Sequence, residues 1–227
     1  ERRGYRLKHA QLAAFGSTRR AGRRVAQDAG LAGLLAARTP VVTIVGKSWK
    51  LHVRDVLRTS VEENLAMIAQ SVRHLKQHGK AVFFDAEHFY DGYREDPAFA
   101  LRTLTAAAEA GADGLVLCDT NGGSLPPDIH AITAAVAAAL PLPLGIHAHN
   151  DGGLAVANTL EAVRAGARQV QGTINGYGER CGNANLCTLI PSLQIKMGYR
   201  VVPPARLQEL RQLSTYIGDL VNIRPDS

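Results

Sequence analysis

Six short runs rich in apolar and β-branched residues punctuate the chain at intervals of roughly thirty to forty residues: Leu12 to Ser17, Val41 to Val45, Ala81 to Phe84, Gly114 to Leu117, Leu144 to His149 and Gln169 to Ile174. Helical patterns fill the intervals. The clearest is Ser60 to Gln77, where Ser60 and Glu63 have capping-box spacing and Leu65, Ile68, Val72 and Leu75 form an apolar stripe. Asp96-Pro97 opens another, with an N-cap and a proline at the first helical position, and Gly111 stops it. Leu154, Val156, Leu160 and Val163 line a third, closed at Gly166. Strand and helix alternating at this period mean βαβ units and a parallel sheet. A closed TIM (β/α)8 barrel takes about 250 residues and eight such units. The six units here, in 227 residues that open in a polar segment without methionine, predict an α/β chain of that class that is incomplete. Pro203 to Val221 reads as a further helix, carrying Leu207, Leu210, Leu213, Ile217 and Leu220. The expected organisation is a partial barrel over 1–202 and a helix leading out of it over 203–227.

A doubly wound open sheet would alternate in the same way, so the glycines need checking. Gly176-x-Gly178-x-x-x-Gly182 has the wrong spacing for a dinucleotide-binding turn and follows the last strand rather than the first. Gly46-Lys47-Ser48 lacks the upstream glycine of a phosphate-binding loop. No apolar stretch approaches twenty residues and no secretion signal is present, so a cytoplasmic protein that does not enter a membrane is expected. Cys118, Cys181 and Cys187 have no Cys-x-x-Cys spacing and suit free thiols in a reducing compartment. Much of the +6 net charge gathers in Arg2, Arg3, Arg6, Lys8, Arg19, Arg20, Arg23 and Arg24. Without interleaved aromatic residues this is read as a solvated helix face rather than a nucleic-acid surface, and it could attract a polyanionic cofactor through its field.

Polar clusters end four of the strands: Asp85-Ala86-Glu87-His88, Cys118-Asp119-Thr120-Asn121-Gly122-Gly123, His147-Ala148-His149-Asn150-Asp151 and the turn Gly178 to Asn183. Residues two apart on a strand share a side, so His147 and His149 can offer imidazoles to one divalent ion, with the amide of Asn183 as a nearby third donor. In a barrel these ends converge, and one pocket could hold Glu87 and Thr120 as well. Taken singly, each has a plainer reading. The histidines could bond without an ion, Glu87 could be a helix-start charge, Thr120 and Asp119 turn caps, and Asn183 an N-cap.

Together with Phe84 to Tyr93, Leu117 to Gly123 and Gly176 to Leu186, the His147 cluster resembles the catalytic barrel of the 2-isopropylmalate synthase, homocitrate synthase and citramalate synthase family, most closely in its citramalate branch. The resemblance covers nearly the whole chain. It implies an acyltransferase that condenses acetyl-CoA with a 2-oxo acid, pyruvate foremost, with a divalent metal (zinc, manganese, cobalt or magnesium) and a homodimeric assembly. His147 and His149 carry over as metal ligands and Asn183 as a further or water-bridged ligand. Glu87 carries over as a catalytic carboxylate and Thr120 as a hydrogen-bond donor to substrate, with Asn150 and Asp151 fixing the imidazoles. A bulkier 2-oxo acid, a metal-dependent carbon–carbon lyase and an inactive barrel remnant are the alternatives. The chain lacks the Arg-Asp-Gly motif that opens the family's first strand. The expectation is therefore that the first two strands are missing, leaving exposed edges, weak metal affinity and little activity.

Overall fold

The computed structural model describes residues 7–223. Contacts divide the chain into two compact units, one up to Val116 and one from Leu117 onward. Arg2, Arg3 and Arg6 of the basic cluster lie outside the described residues.

The first unit holds β1 (Ala13–Ser17), α1 (Ala29–Ala36), β2 (Val41–Lys47), α2 (Lys50–Asp55), α3 (Val61–Gln77), β3 (Ala81–Glu87), α4 (Phe89–Glu95), α5 (Pro97–Glu109) and the opening of β4 (Gly114–Asp119). The strands are parallel, with Ala13 opposite Val41 and Val41 opposite Ala81, a register that brings Lys47 opposite Glu87 at the far end. Val42, Ile44, Val82 and Phe84 are fully buried from the sheet, and Ile68, Val72 and Leu75 from α3 meet the same core. Side chains this deeply buried contribute about 1.5–3 kcal/mol each. Ser60 caps α3 by accepting from the Glu63 amide. The Glu63 carboxylate does not close a capping box with it. It accepts from the Arg19 guanidinium (Nη1 to Oε1, 2.7 Å) and from the Gly22 amide instead. The basic segment is accordingly not a helix face: Arg19, Arg20, Arg23 and Arg24 occupy the loop after β1, and Arg19 is only 3% exposed. A buried guanidinium needs partners more than Ser60 needs a second bond, and Glu63 and Gln70 supply them.

The second unit holds the end of β4, α6 (Pro126–Ala139), β5 (Leu144–Ala148), α7 (Ala155–Arg164), β6 (Gln169–Gln171), α8 (Leu186–Pro191) and α9 (Leu210–Val221). β5 and β6 are parallel, and their register sets His147 opposite Gln171. β6 is shorter than the apolar run suggested. At Gly172 a Cβ would stand 2.5 Å from the Ala184 carbonyl, and beyond it Thr173 bonds to Ala184 and accepts from Leu186. The returning chain thus takes the place of a longer strand. The double proline at 203–204 opens a 3-10 turn, Pro204–Glu209, before α9 begins. Among the described residues no helix is long and apolar enough to cross a membrane.

Candidate metal centre

At the end of β5, alternation places His147 and His149 on one side, with their Nε2 atoms 3.2 Å apart. The Gln171 carbonyl oxygen lies 2.8 Å from His147 Nδ1. It can only accept, so Nδ1 carries the proton and Nε2 presents its lone pair. His149 is 7% exposed, and its Nδ1 is buried without a hydrogen-bond partner. Burial pushes both imidazoles below the ordinary histidine range, and in His149 the nearness of His147 acts in the same direction. The two rings are hydrogen-bonded Nε2 to Nε2, and a cation taken up between them would replace that bond and move the His149 proton to its unpartnered Nδ1. Ligand bonds of about 2.0–2.1 Å meeting near the tetrahedral angle would hold two nitrogens roughly 3.3–3.4 Å apart, close to their present spacing.

Asn183 reaches the pair through backbone pairing. Its amide donates to Gly176, the Ala184 amide to Ala148, and the Asn150 amide to Gly182, so the turn after β6 lies along the end of β5. The side-chain amide donates through Nδ2 to the Tyr177 carbonyl, while its Oδ1 is buried without a partner and the group lies against His147. A buried amide oxygen lying against the His147 imidazole is a fitting third donor. Gly178 makes room for it, since a Cβ there would come within 2.0 Å of Asn183 Nδ2. Asn183 is not an N-cap; Asn185 caps α8 by accepting from the Cys187 amide. Among the described residues no group of three His, Cys, Asp or Glu side chains gathers for a metal. Asn183 offers an amide oxygen instead, and the Glu179 carboxylate stands 3.9 Å from His149 Nε2.

Asn150 and Asp151, expected to fix the imidazoles, bond elsewhere. Asn150 Oδ1 accepts from the Ala155 amide at the start of α7, and Asp151 takes a two-pronged bond from Arg180. The residue that orients an imidazole is Gln171. Thr120 follows β4 in the same unit, and its carbonyl accepts from Arg180 at 2.6 Å. The preceding Asp119 is fully buried, accepting from Ser124 Oγ and Asn158 Nδ2. Glu87 belongs to the first unit. There it ion-pairs with Lys47, and both line a cavity of about 370 Å³ with Ser17 and Thr18. Gln171, Arg180 and Lys47 are assigned no role from the sequence alone. Strand register was the one signal for two of them, since Gln171 lies opposite His147 and Lys47 opposite Glu87.

The sequence profile of the HMGL-like family matches residues 5–217. The chain belongs to the HMGL-like family. Its (β/α)8 class is the one that the alternating elements announced, and six parallel strands of it are described. Among HMGL-like relatives, an (R)-citramalate synthase of Aquifex aeolicus is 54% identical over 96% of this chain and 41% of its own length. One of Synechocystis is 54% identical over 97% of this chain and 42% of its own. A homocitrate synthase of Methanopyrus kandleri is 39% identical over 81% of this chain and 45% of its own. The chain thus spans about two fifths of the length of the citramalate synthases it matches. An HMG-CoA lyase of Bacillus subtilis shares the fold with a TM-score of 0.80 at 21% identity, over 98% of this chain and 74% of that one. One of Acinetobacter baumannii, solved with coenzyme A and 3-methylmalate, does so at 0.78 and 19% identity, over 98% and 72%.

Proposed function

We propose that these residues form part of the catalytic domain of an acyltransferase that condenses acetyl-CoA with pyruvate to give citramalate, on the way to isoleucine. The observation that carries the reading is 54% identity to (R)-citramalate synthases over nearly all of this chain. His147, His149 and Asn183 would hold a divalent cation, zinc, manganese, cobalt or magnesium. When bound, such an ion draws charge from the keto group of a 2-oxo acid and favours the alkoxide that carbon–carbon bond formation creates. This chain's own residues prepare for it. Gln171 fixes the His147 tautomer, and Gly178 leaves the Asn183 amide its place. Glu87 is assigned the catalytic carboxylate and Thr120 a hydrogen bond to substrate, both through the family resemblance. A homodimer in the cytoplasm completes the reading.

Two observations favour neighbouring reactions: 39% identity to a homocitrate synthase allows a longer 2-oxo acid, and the fold shared with HMG-CoA lyases allows carbon–carbon cleavage. Thiol release from acetyl-CoA by the whole protein separates the three. Release with pyruvate, abolished by chelator, is expected. Release only with 2-oxoisovalerate or a longer acid would move the substrate assignment, and no release with any 2-oxo acid would overturn the condensation.

A further inference from the structure

The turn joining β6 to α8 bends the wrong way for ordinary residues. Asn175, Gly176, Arg180 and Gly182 all have positive φ, at 61°, 70°, 55° and 92°. Glycine accepts this freely and asparagine tolerates it, but a long side chain gains nothing from it. Arg180 adopts it with its guanidinium fully engaged. Nε and Nη2 donate to the two carboxylate oxygens of Asp151 at 2.8 and 2.9 Å. Nη2 also donates to the Thr120 carbonyl at 2.6 Å, and Nη1 to Glu179 at 3.2 Å. One side chain therefore ties the segment after β4, the segment after β5 and the turn after β6.

The first two segments are already in contact without it. A Cβ on Gly122 would meet the Asp151 amide at 2.8 Å, and the Gly152 amide donates to the Gly122 carbonyl. They offer the turn a fixed anchorage, and Arg180 grips it three residues before Asn183. The planar fork matters here, because two parallel bonds to a carboxylate and a third to a carbonyl fix direction as well as distance. The pair itself is 42% and 27% exposed, so its share in global stability is small and its effect is local.

We propose that Arg180 is a positioning residue of the centre: by fastening the turn to Asp151 and to the Thr120 carbonyl, it keeps Asn183 beside His147 and His149 and so raises affinity for a divalent cation that it does not itself touch. The proposal rests on the metal reading above. Its test has one arm that needs no metal. In the metal-free whole protein, hydrogen exchange at the amides of Gly182, Asn183 and Ala184 should quicken at least about tenfold in Arg180→Ala, with α6 and α7 unchanged. In the second arm, Co²⁺ is titrated against a chromophoric chelator. Arg180→Ala should bind it about 10–100-fold more weakly, Arg180→Lys should recover only part of the loss, and Arg180→Ala with Asp151→Ala should lose no more than Arg180→Ala alone. Unchanged exchange in the turn, quickened exchange throughout the unit, or unaltered Co²⁺ affinity would each overturn it. Wild-type protein that takes up no Co²⁺ would sink the metal reading, and the exchange arm would still decide whether Arg180 holds the turn.

Discussion

The imidazole of His147 is held at Nδ1 by the Gln171 carbonyl oxygen. Gln171→Leu would leave a buried Nδ1–H without a partner, which costs about 1–3 kcal/mol. It should also weaken divalent-cation binding about 10–100-fold, read by calorimetric titration. Two glycine substitutions should separate crowding from backbone freedom. Gly178→Ala drives a methyl group into the Asn183 amide and should reduce cation binding, whereas Gly33→Ala in α1 meets nothing within 4 Å. The latter should raise stability by about 0.5–1 kcal/mol in urea titration, since alanine favours a helix interior over glycine. His147 and His149 could be read from the sequence because strand alternation is a local rule. Gln171 could not, since it becomes a neighbour only through the β5–β6 register, 24 residues away.

Among the elements, α3 shows how a correct helix can hide an incorrect contact. Its bounds, Ser60 cap and apolar stripe all follow from local pattern. The partner of Glu63 does not, because Arg19 lies 44 residues away on the loop after β1. The Arg19 guanidinium holds the Glu63 carboxyl below the usual range near 4.5, helped by the Gly22 amide. With the folded value below the unfolded one, this stabilisation is whole above pH 4.5 and fades as pH falls through the lower folded value. Glu63→Gln should destabilise the protein by about 1–3 kcal/mol at neutral pH, by leaving a buried guanidinium short of charge. The gap to wild type should narrow in acid-unfolding curves below pH 4.5. A gap constant from pH 7 to 3 would show that the pair is energetically idle. The strands were legible in kind and order because each is a dense apolar run. The end of β6 was not, because it depends on Gly172 meeting Ala184 from a later segment.

For the molecule as a whole, fold class and family were open to sequence reasoning, since alternating elements restrict topology and four polar clusters mark the strand ends. The proposed activity belongs to a whole protein of which this chain covers about two fifths, by the length of its citramalate synthase relatives. If that reading holds, thiol release with pyruvate should vanish with chelator and return with added Co²⁺ or Zn²⁺, while His147→Ala with His149→Ala should abolish it under all conditions. Gly178 and Gly182 carry a different lesson. A Cβ would fall 2.0 Å from Asn183 Nδ2 at the first and 2.2 Å from the Gly176 carbonyl at the second. The string Gly-Glu-Arg-Cys-Gly-Asn is therefore a record of clearances. It identifies a mould into which an amide fits.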